Sequence, residues 1–71
     1  MSKTYKLKKG YRLVAYGNTK HQPTSGILNN MFELQDEQGN EIEYVGNLNV
    51  IIAKYNKYFT KTLLNELAES Y

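Results

Sequence analysis

The chain has 71 residues, a formal net charge of +2 and no cysteine. A chain of this length forms one small domain, which buries only about 60% of the surface of its unfolded form and leaves little room for a deep active-site cleft. Without cysteine the protein has neither disulfide bonds nor a thiolate metal site.

The N-terminus lacks the apolar stretch of a signal peptide, and no segment approaches the roughly 20 apolar residues that cross a bilayer. We therefore expect a soluble, cytoplasmic protein that does not contact membranes. We expect one domain over residues 1–71 that folds alone or as a homodimer. Residues 1–9 form either part of that domain or a flexible basic segment.

The first predicted strand covers residues 11–16, which are rich in side chains that favour strands and are followed by Gly17 and Asn18. The strand extends backwards through residues 5–7 if Gly10 forms a bulge or a turn. Residues 17–26 are polar and contain the only proline and the only histidine of the chain. We expect an exposed, mobile loop there.

Residues 31–45 predict a β-hairpin, because apolar side chains alternate on both sides of a polar turn segment at 36–40. A loop at residues 38–40 pairs Leu34 with Tyr44 and places the apolar side chains on one face. These side chains are Phe32, Leu34, Ile42 and Tyr44. The opposite face then carries Glu33, Gln35, Glu37, Glu41 and Glu43.

The strongest periodic signal lies in residues 48–59, whose apolar side chains fall within an arc of about 120° on a helical wheel. These side chains are Leu48, Ile51, Ile52, Tyr55, Tyr58 and Phe59. Asn47 is a suitable N-cap, because its side-chain oxygen can accept an unpaired N–H of the first turn. The lysines at 54, 57 and 61 lie opposite the apolar stripe and face solvent together.

The apolar residues after Phe59 are rotated by roughly 100° from this stripe, so one straight helix cannot bury both sets. We expect a break near Thr60, with Thr60 or Thr62 capping a second helix that ends around Glu69. The leucines of this second helix either close the fold, which we prefer, or remain available to a partner. The elements together predict an α+β domain, with a three-stranded antiparallel sheet packed on one amphipathic helix and a short C-terminal helix.

No combination of residues indicates catalysis. His21 shares its loop with Thr24 and Ser25, but adjacency in a mobile loop is not the held geometry of a catalytic triad. Glu41 and Glu43 share a strand face, as alternate residues of any half-exposed strand do. The glycines match no phosphate-binding motif. We expect a non-enzymatic protein without a metal or a cofactor.

Charge is strongly segregated along the chain. Residues 1–32 contain six basic side chains and no acid, whereas residues 33–43 contain five acids and no base. In the basic part, lysines interleave with tyrosines, which combines charges that neutralise phosphate with rings that stack on bases. The candidate nucleic-acid-binding residues are Lys6, Lys8, Lys9, Tyr11, Arg12 and Lys20. The competing interpretation is an edge strand whose lysines prevent sheet-to-sheet aggregation.

From this pattern we expect a small regulatory protein that binds an anionic macromolecule, with nucleic acid as the leading candidate. The alternative is a protein-interaction module, such as a small inhibitor or adaptor of the kind that mobile genetic elements encode. It would use the acidic face of the hairpin or the C-terminal leucines. Phosphate binding weakens steeply with salt, whereas a protein interface depends on apolar or acidic side chains.

Overall fold

A computed structural model describes residues 2–16 and 31–70. Within these two ranges, four strands come first and two helices follow, with a 3-10 turn between the first two strands and another between the two helices. The elements are β1 (Ser2–Lys6), a turn at Lys8–Gly10, β2 (Arg12–Tyr16), β3 (Met31–Gln35), β4 (Glu41–Val45), α1 (Leu48–Tyr55), a turn at Asn56–Tyr58 and α2 (Lys61–Ser70). The strands form one antiparallel sheet in the order β1-β2-β3-β4. The predicted loop at 17–26 lies outside the described residues.

The predicted α+β class is confirmed, but the sheet has four strands and not three. The additional strand is β1, which pairs with β2 from Ser2 opposite Tyr16 to Lys6 opposite Arg12. The two strands are separate because the backbone reverses between them, with positive φ values of 59° at Lys9 and 80° at Gly10. Two successive positive φ values occur in the turns that best match the twist of a hairpin.

The β3–β4 hairpin is confirmed, whereas its predicted register is wrong. Leu34 pairs with Glu43 rather than with Tyr44, and a β-bulge separates this pair from the next, Gln35 with Glu41. A bulge inserts an extra residue in one strand, so the residues beyond it face the opposite way from a regular ladder. Glu43 therefore lies on the helix side of the sheet. Tyr44 lies on the other side, where 50% of its surface is exposed.

The core lies between one face of the sheet and the two helices. Every strand except β4 contributes a buried side chain, as do both helices, among the residues that the structure describes. The buried core consists of Tyr5, Leu7, Leu13, Ala15, Phe32, Leu34, Ile51, Phe59, Leu63 and Leu67. Two of these come from α2, which confirms that the C-terminal leucines close the fold.

Both helices begin at the predicted caps. The side-chain oxygen of Asn47 accepts a hydrogen bond from the N–H of Asn49 at 2.9 Å, and Thr60 Oγ1 accepts one from the N–H of Leu63 at 3.1 Å. α1 ends at Tyr55 rather than at Phe59, where the backbone is extended. Neither α1 nor α2 is long and apolar enough to cross a membrane.

The two hairpin turns lie at the same end of the sheet. The strand residues next to these turns form one row across the four strands, which consists of Lys6, Arg12, Gln35 and Glu41. α1 runs towards this end, and the turn Asn56–Tyr58 that follows it packs against the turn Lys8–Gly10. We refer to residues 6–12, 35–41 and 56–58 together as the turn end.

Candidate nucleic-acid interface

Two stacked rings hold the turn end together. Tyr11 follows the β1–β2 turn and Tyr58 follows α1, and their ring centroids lie 4.1 Å apart with planes 11° from parallel. The backbone fixes Tyr11 in place, since its C=O accepts a hydrogen bond from the N–H of Leu7 at 2.8 Å and its N–H donates to the C=O of Lys8 at 3.2 Å. The stack therefore joins two segments that are far apart in the sequence.

Tyr11 is uncharged at neutral pH. Hydrogen bonding with Tyr58 raises the pKa of Tyr11 above its ordinary value, and burial and the nearby carboxylates of Glu37 and Asp36 raise it further. A neutral phenol does not repel an anion. The ring pair can thus form part of a surface that approaches phosphate groups.

The stack brings together basic side chains from both segments. Lys8 and Lys9 are exposed on the β1–β2 turn, and Lys6 is exposed at the end of β1. Lys57 lies beside the stack, with its Nζ 5.3 Å from the ring centroid of Tyr58. Within residues 2–16 and 31–70, none of these four lysines lies within ion-pair distance of a carboxylate. Their charges remain available to an external anion.

Two other lysines are already paired with carboxylates. Lys3 Nζ lies 3.5 Å from Glu66 Oε2, and Lys54 Nζ lies 3.1 Å from Glu43 Oε2. Both pairs join the sheet to a helix, on the side of the molecule that contains the core. The lysines of the turn end therefore differ from Lys3 and Lys54 in that no carboxylate of the described chain neutralises them.

Arg12 differs from these lysines because its side chain is partly buried. It lies directly opposite Lys6, so that two positive residues face each other across β1 and β2. Its guanidinium extends to the β3–β4 turn, where Nη2 lies 3.1 Å from the position that a Cβ would occupy on Gly39. Its Nε is buried and has no hydrogen-bond partner among the residues that the structure describes.

An acidic turn lies next to these basic residues. The Cβ of Glu37 is 3.1 Å from the position of a Cβ on Gly10. The carboxylate of Asp36 accepts hydrogen bonds from the N–H groups of Asn40 at 2.8 Å and Gln38 at 2.9 Å. These bonds, the one from Asn40 first, lower the pKa of Asp36. The turn end is therefore bipolar, with its basic side towards β1 and its acidic side towards β4.

Most of the predicted site residues meet at the turn end, namely Lys6, Lys8, Lys9, Tyr11 and Arg12; Lys20 lies outside the described residues. The predicted site residues do not include Lys57, because on a helical wheel it belongs to a solvent-facing stripe. Tertiary contacts between the turns Lys8–Gly10 and Asn56–Tyr58, together with the stack of Tyr11 on Tyr58, bring Lys57 close to the β1–β2 turn. The other tyrosines of the basic segment point elsewhere, since Tyr5 is buried in the core.

The open face of the sheet, opposite the helices, carries a second polar cluster. The hydroxyl of Tyr16 donates a hydrogen bond to Glu33 Oε1 at 2.7 Å, and Gln35 Nε2 donates to Glu33 Oε2 at 3.1 Å. The bond with Glu33 raises the pKa of Tyr16. The ring of Tyr44 meets that of Tyr16 edge to face, with centroids 6.2 Å apart. Tyr16 thus contacts both Glu33 and Tyr44 on this face.

A groove of about 580 Å³ lies at the other end of the molecule, between the start of α1 and α2. Within residues 2–16 and 31–70, its lining includes Leu48, Ile52 and Leu64 and no ionisable side chain. The residues that the structure describes also contain no group of three or more side chains suited to hold a metal ion.

Comparisons of the chain with protein-family models, curated proteins and solved structures gave no match. The functional interpretation therefore rests on the geometry and charge of the turn end.

Proposed function

We propose that the protein binds nucleic acid through its turn end, by contacts with the phosphate backbone and without catalysis. The observation that carries this proposal is the stack of Tyr11 on Tyr58, which places Lys57 beside the basic β1–β2 turn. Lysines that exchange their counterions for phosphates give binding that is largely independent of base sequence. We place this role in the cytoplasm, because small secreted domains usually depend on disulfide bonds and this chain has no cysteine.

The number of unpaired lysines sets the expected salt dependence. If Lys6, Lys8, Lys9 and Lys57 each neutralise one phosphate, the slope of log affinity against log salt is about −3.6 on duplex DNA and about −2.8 on single strands. The affinity then falls roughly a hundredfold between about 50 and 200 mM salt. The carboxylates of the β3–β4 turn repel phosphates, so the nucleic acid would lie towards β1, the start of β2 and the turn at Asn56–Tyr58.

Two double variants with the same change in net charge test this proposal. Lys8→Gln with Lys57→Gln removes two unpaired charges, whereas Lys3→Gln with Lys54→Gln removes two lysines that carboxylates already neutralise. Fluorescence anisotropy with a labelled duplex, repeated across salt concentrations, measures the slope for each protein. We expect the first variant to reduce the slope by about 1.8 and the second to leave it near the wild-type value.

Thermal melts of both variants establish that they are folded before their affinities are compared. The proposal fails if the wild-type protein does not bind DNA or RNA at about 50 mM salt, where even non-specific binding is strong. It also fails if both double variants lose the same part of the slope, because binding would then depend on net charge alone.

A protein-binding role is the second candidate, and the open face of the sheet favours it. Tyr44 is 50% exposed and Tyr16 is 36% exposed, and exposed tyrosines are enriched at protein interfaces. The predicted acidic face of the hairpin does not include Glu43, because Glu43 faces the helices. Leu63 and Leu67 are buried and do not form a partner surface.

The two candidate functions respond differently to substitution. A protein partner on the open face should be lost in Tyr44→Ala and retained in Lys8→Gln with Lys57→Gln. A binding assay on nuclease-treated host extract distinguishes them, because nucleic acid cannot then bridge the two proteins. The same assay at high salt also distinguishes them, because salt weakens contacts with phosphate much more than contacts between aromatic rings.

A further inference from the structure

We propose that Arg12 and Lys6 form a binding site for a single phosphate group at the turn end. The inference rests on the proposed function, in which that group is a phosphodiester of the bound nucleic acid. A free phosphate ion offers the same chemistry to the same side chains. The two sources are separated by the experiment below.

Two positively charged residues lie next to each other where β1 ends and β2 begins. Lys6 and Arg12 are directly opposite each other in an antiparallel pair, and like charges in this position destabilise a sheet. Gln35, the next residue in the row, is neutral and donates its amide to Glu33, so it supplies no opposite charge. No carboxylate of the described residues lies within ion-pair distance of Lys6 or Arg12. An anion bound between them removes the repulsion.

The side chain of Arg12 is partly buried. Its Nε is buried without a hydrogen-bond partner in residues 2–16 and 31–70, although nearly all buried donors in folded proteins are paired. A guanidinium has five N–H donors and no acceptor, so it can be satisfied only by acceptors from elsewhere. Because Nε itself is shielded from solvent, a phosphate would reach the guanidinium through its Nη groups, to which it supplies acceptor oxygens and a charge of the opposite sign.

The guanidinium of Arg12 lies beside the β3–β4 turn. Nη2 of Arg12 lies 3.1 Å from the position that a Cβ would occupy on Gly39, and glycine has no side chain to fill this space. Gly39 has a φ of 87°, a conformation that favours glycine. The backbone of the turn therefore favours the residue that leaves this space open. A planar guanidinium can present two parallel donors to two oxygens of one phosphate, and Lys6, opposite Arg12 on the neighbouring strand, would supply a third donor.

The chain offers a direct probe of the site, because Arg12 is its only arginine. Its Nε–Hε group gives a single cross-peak in a nitrogen–proton correlation spectrum and needs no further assignment. We would add inorganic phosphate in one titration and a short single-stranded oligothymidine in another, both at a constant ionic strength set with chloride. We expect the cross-peak to shift and saturate in both titrations.

Two lysines of β1 provide matched variants. Lys6→Gln removes one member of the site, and we expect it to weaken phosphate binding at the Arg12 cross-peak by about fivefold or more. Lys3→Gln removes the same charge from the other face of the same strand, where the lysine pairs with Glu66, and should leave the titration unchanged. Arg12→Lys keeps the charge and loses the fork, so it should weaken oligothymidine binding without changing its salt slope.

The outcomes separate this site from the proposed function. If phosphate shifts the cross-peak but the oligonucleotide does not bind, the site is retained with free phosphate as its ligand, and the nucleic-acid function fails. If the oligonucleotide binds and shifts the amide signals of Lys8 and Lys9 while the Arg12 cross-peak stays in place, the function is retained and this site is overturned. A cross-peak that responds to neither ligand overturns the site as well.

Discussion

The hydroxyl of Tyr55 donates a hydrogen bond to Glu43 at 3.0 Å and thereby connects α1 to the edge strand β4. Lys54 reaches the same carboxylate oxygen at 3.1 Å. This contact depends on the β-bulge, since Glu43 would face away from the helices in a regular ladder. An acidic residue that sequence analysis assigned to an exposed face thus fastens a helix to the sheet.

This contact makes stability depend on pH. The hydrogen bonds from Lys54 and then Tyr55 lower the pKa of Glu43 in the folded protein. A group whose folded pKa lies below its unfolded value adds stability above the unfolded pKa, and that stability is lost as the pH falls through the folded pKa. We expect Glu43→Gln to lower the melting temperature at neutral pH and to have progressively less effect below about pH 4.

Melts followed by circular dichroism between about pH 3 and pH 7 measure this dependence. Glu41→Gln is the matched control, because Glu41 is exposed and forms no ion pair within the described residues. A difference between Glu43→Gln and wild type that stays constant over this range would show that the carboxylate charge does not stabilise the contact.

The stack of Tyr58 on Tyr11 contributes to stability and to binding. An aromatic pair is worth about 0.5–1.5 kcal/mol beyond the area that it buries, so Tyr58→Ala should lower the melting temperature by about 5 °C or more. Tyr44→Ala removes a half-exposed ring that makes only an edge contact and should have a smaller effect. Tyr58→Ala should also weaken binding to nucleic acid, although it removes no charge, since Lys57 loses its support. Unchanged affinity in a folded Tyr58→Ala protein would contradict this role of the stack.

Ile51 and Ile52 are neighbours of the same type with different burial. Ile51 is 0% exposed, whereas Ile52 packs at the margin of the core. Ile51→Ala should cost about 2–5 kcal/mol, which is comparable to the whole stability expected of so small a domain. Ile52→Ala should cost clearly less. Urea unfolding curves measure both values, and an equal loss would mean that the orientation of α1 is wrong.

The β1–β2 turn predicts opposite effects for two adjacent substitutions. Lys9 has φ 59° and ψ 28°, a conformation that asparagine adopts more readily than lysine, so Lys9→Asn should keep or raise the melting temperature. Gly10→Ala places a Cβ 3.1 Å from Glu37 at a positive φ and should cost about 1 kcal/mol or more. Because Lys9→Asn remains folded, it also tests binding, where it should reduce the salt slope by about 0.9. The reverse order of stabilities would exclude this turn.

The helices could be predicted from the sequence because their signals are local. The apolar period and the caps Asn47 and Thr60 all lie within or next to the helix that they define. The early end of α1 was not predictable in this way. Tyr58 lies in the turn that follows α1, where it stacks on Tyr11, a residue that is distant in the sequence.

The sheet was predicted less completely, because strand pairing is not local. β1 contains only one buried side chain, Tyr5, so its alternation gave little sign of a separate strand. The register of β4 was predicted from an unbroken alternation, which a bulge at Ile42 and Glu43 interrupts. For the candidate site, charge along the chain identified the lysines, but the burial of Arg12 depends on the neighbouring turn.

The direction of α2 determines where the chain can be modified. Ser2 pairs with Tyr16 at the far end of β1, and α2 starts beside the turn end and runs about 15 Å away from it to Ser70. A fluorescent label or a surface tether attached near Ser2 or Ser70 should therefore leave the lysines of the turn end accessible. A peptide inserted into the Lys8–Gly10 turn would instead obstruct them. Copies immobilised through their C-termini should present the basic side outward and capture polyanions from solution.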